Sequence, residues 1–226
     1  AATCFSSKPS RHEEFESLAT LLIFGAGGHG KVVATIAAYV QTWERIAFLD
    51  DRAADLKIVG GHEVLAGFDE AEAVLKEFAQ FFVAVGDNRL RLELLNRYLE
   101  QGHKAPPLVH PTAWVAASAT VGDGTLAGPK SVLHTDAHVG LACIVNTAAT
   151  VDHDCVLEDG VHLSPGVHLA GEVRIGRETT IGVGTAVANR VTIGRNVLIG
   201  AGSAVVEDIP ENVTAAGVPA RIIRQS

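Results

Sequence analysis

Residues 109–132 read VHPTAW-VAASAT-VGDGTL-AGPKSV, and the phase set there runs unbroken to residue 210. Written in sixes, the first place is aliphatic in seventeen consecutive hexads, from Val109, Val115 and Val121 through Leu157, Leu163 and Leu169 to Ile199 and Val205. The fifth place is small or β-branched (Ala113, Ala119, Thr125, Ser131, then onward to Ile209), and the second is glycine at Gly122, Gly140, Gly176, Gly182, Gly194 and Gly200. Neither a helical period of 3.6 nor strand alternation holds such a phase. A repeat of six predicts a parallel β-solenoid of triangular section. Three hexads make one coil, residues eighteen apart stack, the aliphatic place points inward and the corners take residues that turn easily.

The hexads leave room for a second, smaller part. Apolar strands are predicted at 20–24, 46–49 and 81–85, with helices over 31–40 and 89–101. Alternating strands and helices imply a small parallel sheet of three or four strands. Pro106-Pro107 and His110-Pro111 mark the passage into the solenoid. The expected division is a tail over 1–19, a Rossmann-like nucleotide-binding domain over 20–107, and a solenoid over 108–226 whose 213–223 stretch caps the last coil.

Within the first of these, Gly25-Ala26-Gly27-Gly28-His29-Gly30 satisfies G-x-G-x-x-G between a strand and a helix, and Asp50 follows twenty residues after Gly30. Such glycines let a backbone approach a phosphate at a helix N-terminus, and the acid accepts from a ribose hydroxyl. A sheet this small suits a mononucleotide better than NAD.

Ten histidines are present, and His110, His134, His138 and His168 fall at outward places. His153 differs in its company, Val151-Asp152-His153-Asp154-Cys155. An imidazole flanked by carboxylates suits a general base, with one carboxylate orienting the ring and raising its basicity. Stacking puts Gly171 directly above His153, so a side-chain-free backbone amide is expected beside the base, where it would stabilise an oxyanion. Three adjacent side chains of an extended strand cannot converge on one ion, so no metal site is expected.

A net charge of −8 without a basic stripe argues against nucleic acid and anionic membranes. No apolar run approaches the roughly 20 residues of a membrane span. Three cysteines and no apolar leader suggest a reducing, cytoplasmic setting.

The hexads, together with Gly217-Val218-Pro219-Ala220-Arg221 at their end, resemble the left-handed β-helix acyltransferases; the left hand is implied by that resemblance. With GAGGHG, Asp50-Asp51 and Val85-Gly86-Asp87-Asn88 added, the chain is similar to the bacterial nucleotide-sugar N-acetyltransferases and their sialic acid O-acetyltransferase relatives. The resemblance implies acetyl-CoA as co-substrate, a UDP- or GDP-linked 4-amino-4,6-dideoxy sugar as acceptor and a homotrimer. It also implies His153 as base and Asp154 as its support, with acetyl-CoA contacts at His162, Val183 and Ala201. Gly27, Gly28 and His29 would touch the diphosphate, Asp50 and Asp51 the nucleoside, and Gly86 with Arg89 the substrate end. A sialic acid O-acetyltransferase, or a non-catalytic nucleotide-binding trimer, would carry the same signature.

Overall fold

The structure, a computed structural model, describes residues 19–225. The expected tail lies outside the described residues except for Ala19, which opens the first strand. The α/β part runs β1 (Ala19–Phe24), α1 (Gly28–Val40), β2 (Trp43–Leu49), β3 (Ile58–Val59), β4 (His62–Ala66), α2 (Ala71–Leu75), β5 (Gln80–Val83) and α3 (Asn88–Glu100). Its sheet has the order β3-β4-β2-β1-β5. All neighbours are parallel except β3 and β4, which form a hairpin.

The expected three or four strands are therefore five, and one edge is antiparallel. The hairpin turns at Gly60 and Gly61, whose φ values of 59° and 86° are the left-handed pair that a two-residue turn demands. Helix α1 begins at Gly28, three residues before the expected Lys31, because Gly30 packs against the glycine turn. A Cβ there would strike the Gly25 carbonyl.

The hexads form a solenoid of two-residue strands joined by four-residue corners. Its first face stacks Leu108–Val109, Leu126–Ala127, Ile144–Val145, His162–Leu163, Thr180–Ile181 and Leu198–Ile199 in parallel. A second face runs from Trp114–Val115 to Ala204–Val205, and a third from Thr120–Val121 to Thr192–Ile193. Partners are eighteen residues apart throughout, for example Val132 with Thr150. First-place and fifth-place residues fill one continuous core. In most corners the fourth place has positive φ, as at Lys130, Asp136, Ala148 and Asp154. Second-place glycines meet the backbone of the next corner, so a Cβ on Gly122 would lie 2.6 Å from Gly140.

The expected single terminal strand is a hairpin. Val213–Gly217 pairs in parallel with Leu198–Ile199 and turns at Val218 and Pro219 into the antiparallel strand Ala220–Gln225. The α/β part sits on the first face. Leu108, Leu126 and Ile144 share a buried cluster with Val33, Ile36 and Phe82, and Leu92 and Leu95 of α3 pack against Leu141 and Ala142. Further along that face the outward places become His162, Thr180 and the exposed Leu198.

Candidate active site

The corner between the second and third faces creates the geometry of His153. Asp154 holds the left-handed fourth place at φ 58°, and its amide donates to the Thr135 carbonyl of the preceding coil (3.1 Å). That turn folds its carboxylate back onto the imidazole. His153 Nδ1 and Asp154 Oδ2 are 2.8 Å apart, and Asp152 Oδ1 accepts from the His153 amide at 2.8 Å. An ionised carboxylate on Nδ1 assigns the proton there and leaves Nε2 as the free lone pair. The bond to Asp154 raises the His153 pKa above 6.5; desolvation opposes it, and the charges of Asp152, Asp154 and Glu172 add to the rise. On the next coil Gly171 lies against the ring, and a Cβ added to it would collide with Nε2 and Cε1. The Gly171 carbonyl accepts from the Arg190 amide at 3.0 Å.

Cys155 points into the core, where burial pushes its thiol up to about 11, and Cys143 is pushed up to about 12 in the same way. Neither is a thiolate at neutral pH, so neither of these two, the cysteines among the described residues, is available as a nucleophile.

The glycine loop lies at the C-terminal ends of β1, β2 and β5. Gly25 donates to the Leu49 carbonyl at 2.7 Å, and the Ala26 amide donates to Asp50 Oδ2 at 2.9 Å. Asp50 is committed within the protein, contrary to the expectation of a carboxylate free for a ribose hydroxyl. Its oxygens accept from Arg52 Nε (2.9 Å), Arg52 Nη2 (3.0 Å) and the Arg52 amide (3.1 Å) as well as from Ala26. The Arg52 bonds hold its pKa down at about 2 against the effect of burial. The side chain offered at this strand end is thus Arg52, which the sequence reading passed over. Asp51 Oδ1 accepts from the Phe68 amide at 2.8 Å, on the wall of a neighbouring cavity.

Gly86 and Arg89 line a cavity of about 710 Å³ with Asn88, Thr180, Arg177, Arg195 and Asn212, where the loop between β5 and α3 meets the solenoid. His29 and His162 both have a buried Nε2 without a hydrogen-bond partner. Desolvation, then the charge of Arg91, lowers each to about 4, and for His29 the charge of His162 adds to this. Both rings are therefore neutral at physiological pH.

Within one chain these groups occupy three places. His153, Asp154 and Gly171 form one corner, while the exposed Val183 and Ala201 stack on the corner between the first and second faces. Gly27, Gly28, His29, Gly86 and Arg89 lie with the α/β part, whose apolar contacts are with the first face. Among the described residues no group of three or more His, Cys, Asp or Glu is placed to hold a metal, and no helix is long and apolar enough to cross a membrane.

Residues 20–98 match the family described as PglD N-terminal domain. The chain is 30% identical over 215 residues to the GDP-perosamine N-acetyltransferase of Escherichia coli O157:H7, covering 90% of this chain and 96% of that one. The acetyltransferase domain of PglB from Neisseria gonorrhoeae FA1090, solved with acetyl coenzyme A, superposes with a TM-score of 0.87 at 43% identity, covering 91% of this chain and 99% of that one. A perosamine N-acetyltransferase from Caulobacter crescentus carrying a histidine-to-asparagine substitution, solved with CoA and GDP-perosamine, gives a TM-score of 0.83 at 37% identity over 91% of this chain and 97% of its own. The hexad solenoid, the glycine-loop α/β part and these likenesses agree: the chain belongs to the left-handed β-helix, hexapeptide-repeat acyltransferases, in their nucleotide-sugar N-acetyltransferase branch.

Proposed function

We propose that this protein transfers the acetyl group of acetyl-CoA to the amine of a nucleotide-linked 4-amino-4,6-dideoxy sugar. One observation carries the reading: an imidazole with Nδ1 on a carboxylate at 2.8 Å turns its Nε2 toward a residue without a side chain. His153 takes the proton from the sugar amine as nitrogen attacks the thioester carbon. Asp154 fixes the tautomer and stabilises the imidazolium that forms. The Gly171 amide donates to the oxyanion of the tetrahedral intermediate, which collapses with loss of the CoA thiolate. Direct attack in a ternary complex needs no covalent enzyme intermediate, in keeping with two buried cysteines whose pKa values are raised.

Labour is divided between residues 20–107 and 108–226. The backbone of Gly27, Gly28 and His29 faces the diphosphate at the N-terminus of α1. Asp51 and the Asp50–Arg52 pair meet the nucleoside, and Gly86 and Arg89 lead toward the sugar. Val183 and Ala201 flank the pantetheine arm, with His162 near its thioester end. Since these groups occupy separate corners of one prism, the working unit is a homotrimer, in which the His153 corner of one subunit faces the CoA corner of the next. Repeated heterologous contacts that close by rotation are what such a ring requires. Sedimentation at three times the 23.7 kDa chain mass is the expected result.

The test is thiol release from acetyl-CoA with UDP- and GDP-linked 4-amino-4,6-dideoxy sugars and free sialic acid as acceptors. Rapid release with one nucleotide sugar, reduced about 10²- to 10⁴-fold in His153→Asn, is expected. Release with sialic acid alone would move the acceptor to oxygen. Nucleotide binding without any release would leave a binding protein.

A further inference from the structure

Arg91, in the first turns of α3, is completely buried, and every acceptor it meets is a carbonyl oxygen. Its Nε donates to Ala142 O at 2.8 Å, and Nη2 donates to Gly160 O at 3.0 Å and to Asn88 Oδ1 at 2.8 Å. Nη1 donates to Val85 O at 3.0 Å. Asn88 completes the pattern, its Nδ2 donating to Glu178 O at 2.9 Å and Thr180 Oγ1 at 2.8 Å.

Ala142, Gly160 and Glu178 are eighteen apart, and each is the left-handed fourth place of its corner, with φ of 52°, 70° and 61°. Two side chains on one helical turn thus read the same carbonyl in three successive coils. A buried cation is costly wherever its donors are not all used. Apolar packing by Leu92 and Leu95 would hold α3 on the solenoid without one, so the charge adds something other than adhesion. A guanidinium has fixed donor directions, and here they admit one height of α3 along the stack. A shift by part of a coil, whose rise is about 4.8 Å, would leave the fork between carbonyls, and a shift by a whole coil would take Leu92 and Leu95 off Leu141 and Ala142.

We propose that Arg91, with Asn88, is a positioning residue. It sets the height of the 86–89 loop over the solenoid, and so the reach from the bound nucleotide to the acyl-transfer corner. This rests on the acetyltransferase reading above, since reach matters only if the nucleotide end and the acyl-transfer end hold one substrate. Val85 and Gly86 lead into α3 through its N-cap Asp87, and Arg91 bonds the Val85 carbonyl, so the loop moves with the fork. A misplacement of 1 Å at a reacting centre costs about 10²-fold in rate, whereas the nucleoside diphosphate alone, held by the glycine loop, is indifferent to it.

The experiment compares Arg91→Lys, Asn88→Ala and Thr180→Val with the wild type. It measures kcat/KM for the nucleotide sugar, KM for acetyl-CoA, the dissociation constants of UDP and GDP by calorimetry, and amide exchange. Arg91→Lys is expected to lower kcat/KM for the nucleotide sugar by about 10²-fold and Asn88→Ala by about tenfold. Nucleoside diphosphate binding and the acetyl-CoA KM should stay within about twofold. Amides of 86–91 should exchange at least about tenfold faster while those of β1 and β5 keep their protection. Should Arg91→Lys fail to fold, Asn88→Ala and Thr180→Val loosen the same seam from its cavity side and decide the matter. Variants that lose only thermal stability, with kcat/KM and 86–91 protection unchanged, would overturn the proposal. If the wild type acetylates no nucleotide sugar, the functional reading has failed, and unchanged exchange in all three variants would separately refute the seam.

Discussion

As the proposed base His153 would act only when neutral, yet the carboxylate that orients it also holds its proton more tightly. The bond from Nδ1 to Asp154 raises its pKa above 6.5, so the acid limb of kcat/KM should titrate above that value, with activity lost as pH falls through it. Asp154→Asn removes the charge and keeps the shape. The acid limb should then move to lower pH while the plateau drops by about 10²-fold, because the freed ring samples the wrong tautomer. A pH–rate profile of the variant with an unmoved limb would show that Asp154 does not touch the titrating group. Gly171→Ala is the complementary change. Gly171 has no positive φ, so the backbone accepts alanine, but the new Cβ takes the space of the His153 ring. Steady-state rates should fall by about 10²-fold with little change in melting temperature; an active Gly171→Ala enzyme would mean that the imidazole works from another position. The stacking of residue 153 under residue 171 could be counted from sequence. What could not be counted was the left-handed turn at Asp154 that brings the carboxylate to 2.8 Å, since asparagine, lysine and alanine occupy the same place in other corners.

Every inward residue of the solenoid was legible as an element because the period of six repeats, and a repeat exposes its own phase. The seam with the α/β part was encoded more faintly. Sixth places point outward, and reading them every eighteen residues gives Leu108, Leu126 and Ile144 on one face, an apolar run that marks a covered surface. Ile144 is 1% exposed although it points away from the prism. Ile144→Ala should therefore cost about 2–5 kcal/mol in urea denaturation, while Thr192→Ala, at an exposed sixth place of the third face, should stay within about 0.5 kcal/mol. Equal effects would mean that the first face is not held by packing. The β3–β4 hairpin escaped because β3 is two residues long, too short for alternation to register, though Gly60-Gly61 signalled the turn. The bond between Asp50 and Arg52 was not legible for another reason. Their pairing spans two residues along a bend, and a motif that names the acid says nothing about its neighbour.

At the scale of the molecule, the seam also governs response to acid. His29 and His162 are held neutral, each lowered to about 4, whereas an unfolded chain protonates them near 6.5. The unfolded state therefore binds more protons between these values, and stability is fully present above about 6.5 and lost as pH falls toward 4. At pH 5 the loss is about 2 kcal/mol for one ring. Urea midpoints at pH 7.5 and pH 5 should differ accordingly, and His162→Gln should flatten the profile; a wild-type midpoint that does not move would show that the rings are solvated. The C-terminal hairpin has a consequence of a different kind. Nothing in the hexads limits how many coils can be added, because the last coil offers the same unpaired amides and carbonyls as every coil before it. The antiparallel return of Ala220–Gln225 occupies the outer edge of Val213–Gly217 and puts Arg221 and Arg224 on the strand that is left outermost. A truncation before Val218 would leave a parallel template that a second molecule fits, and concentration-dependent light scattering should reveal it. The hairpin is the stop signal of a polymer written inside one chain.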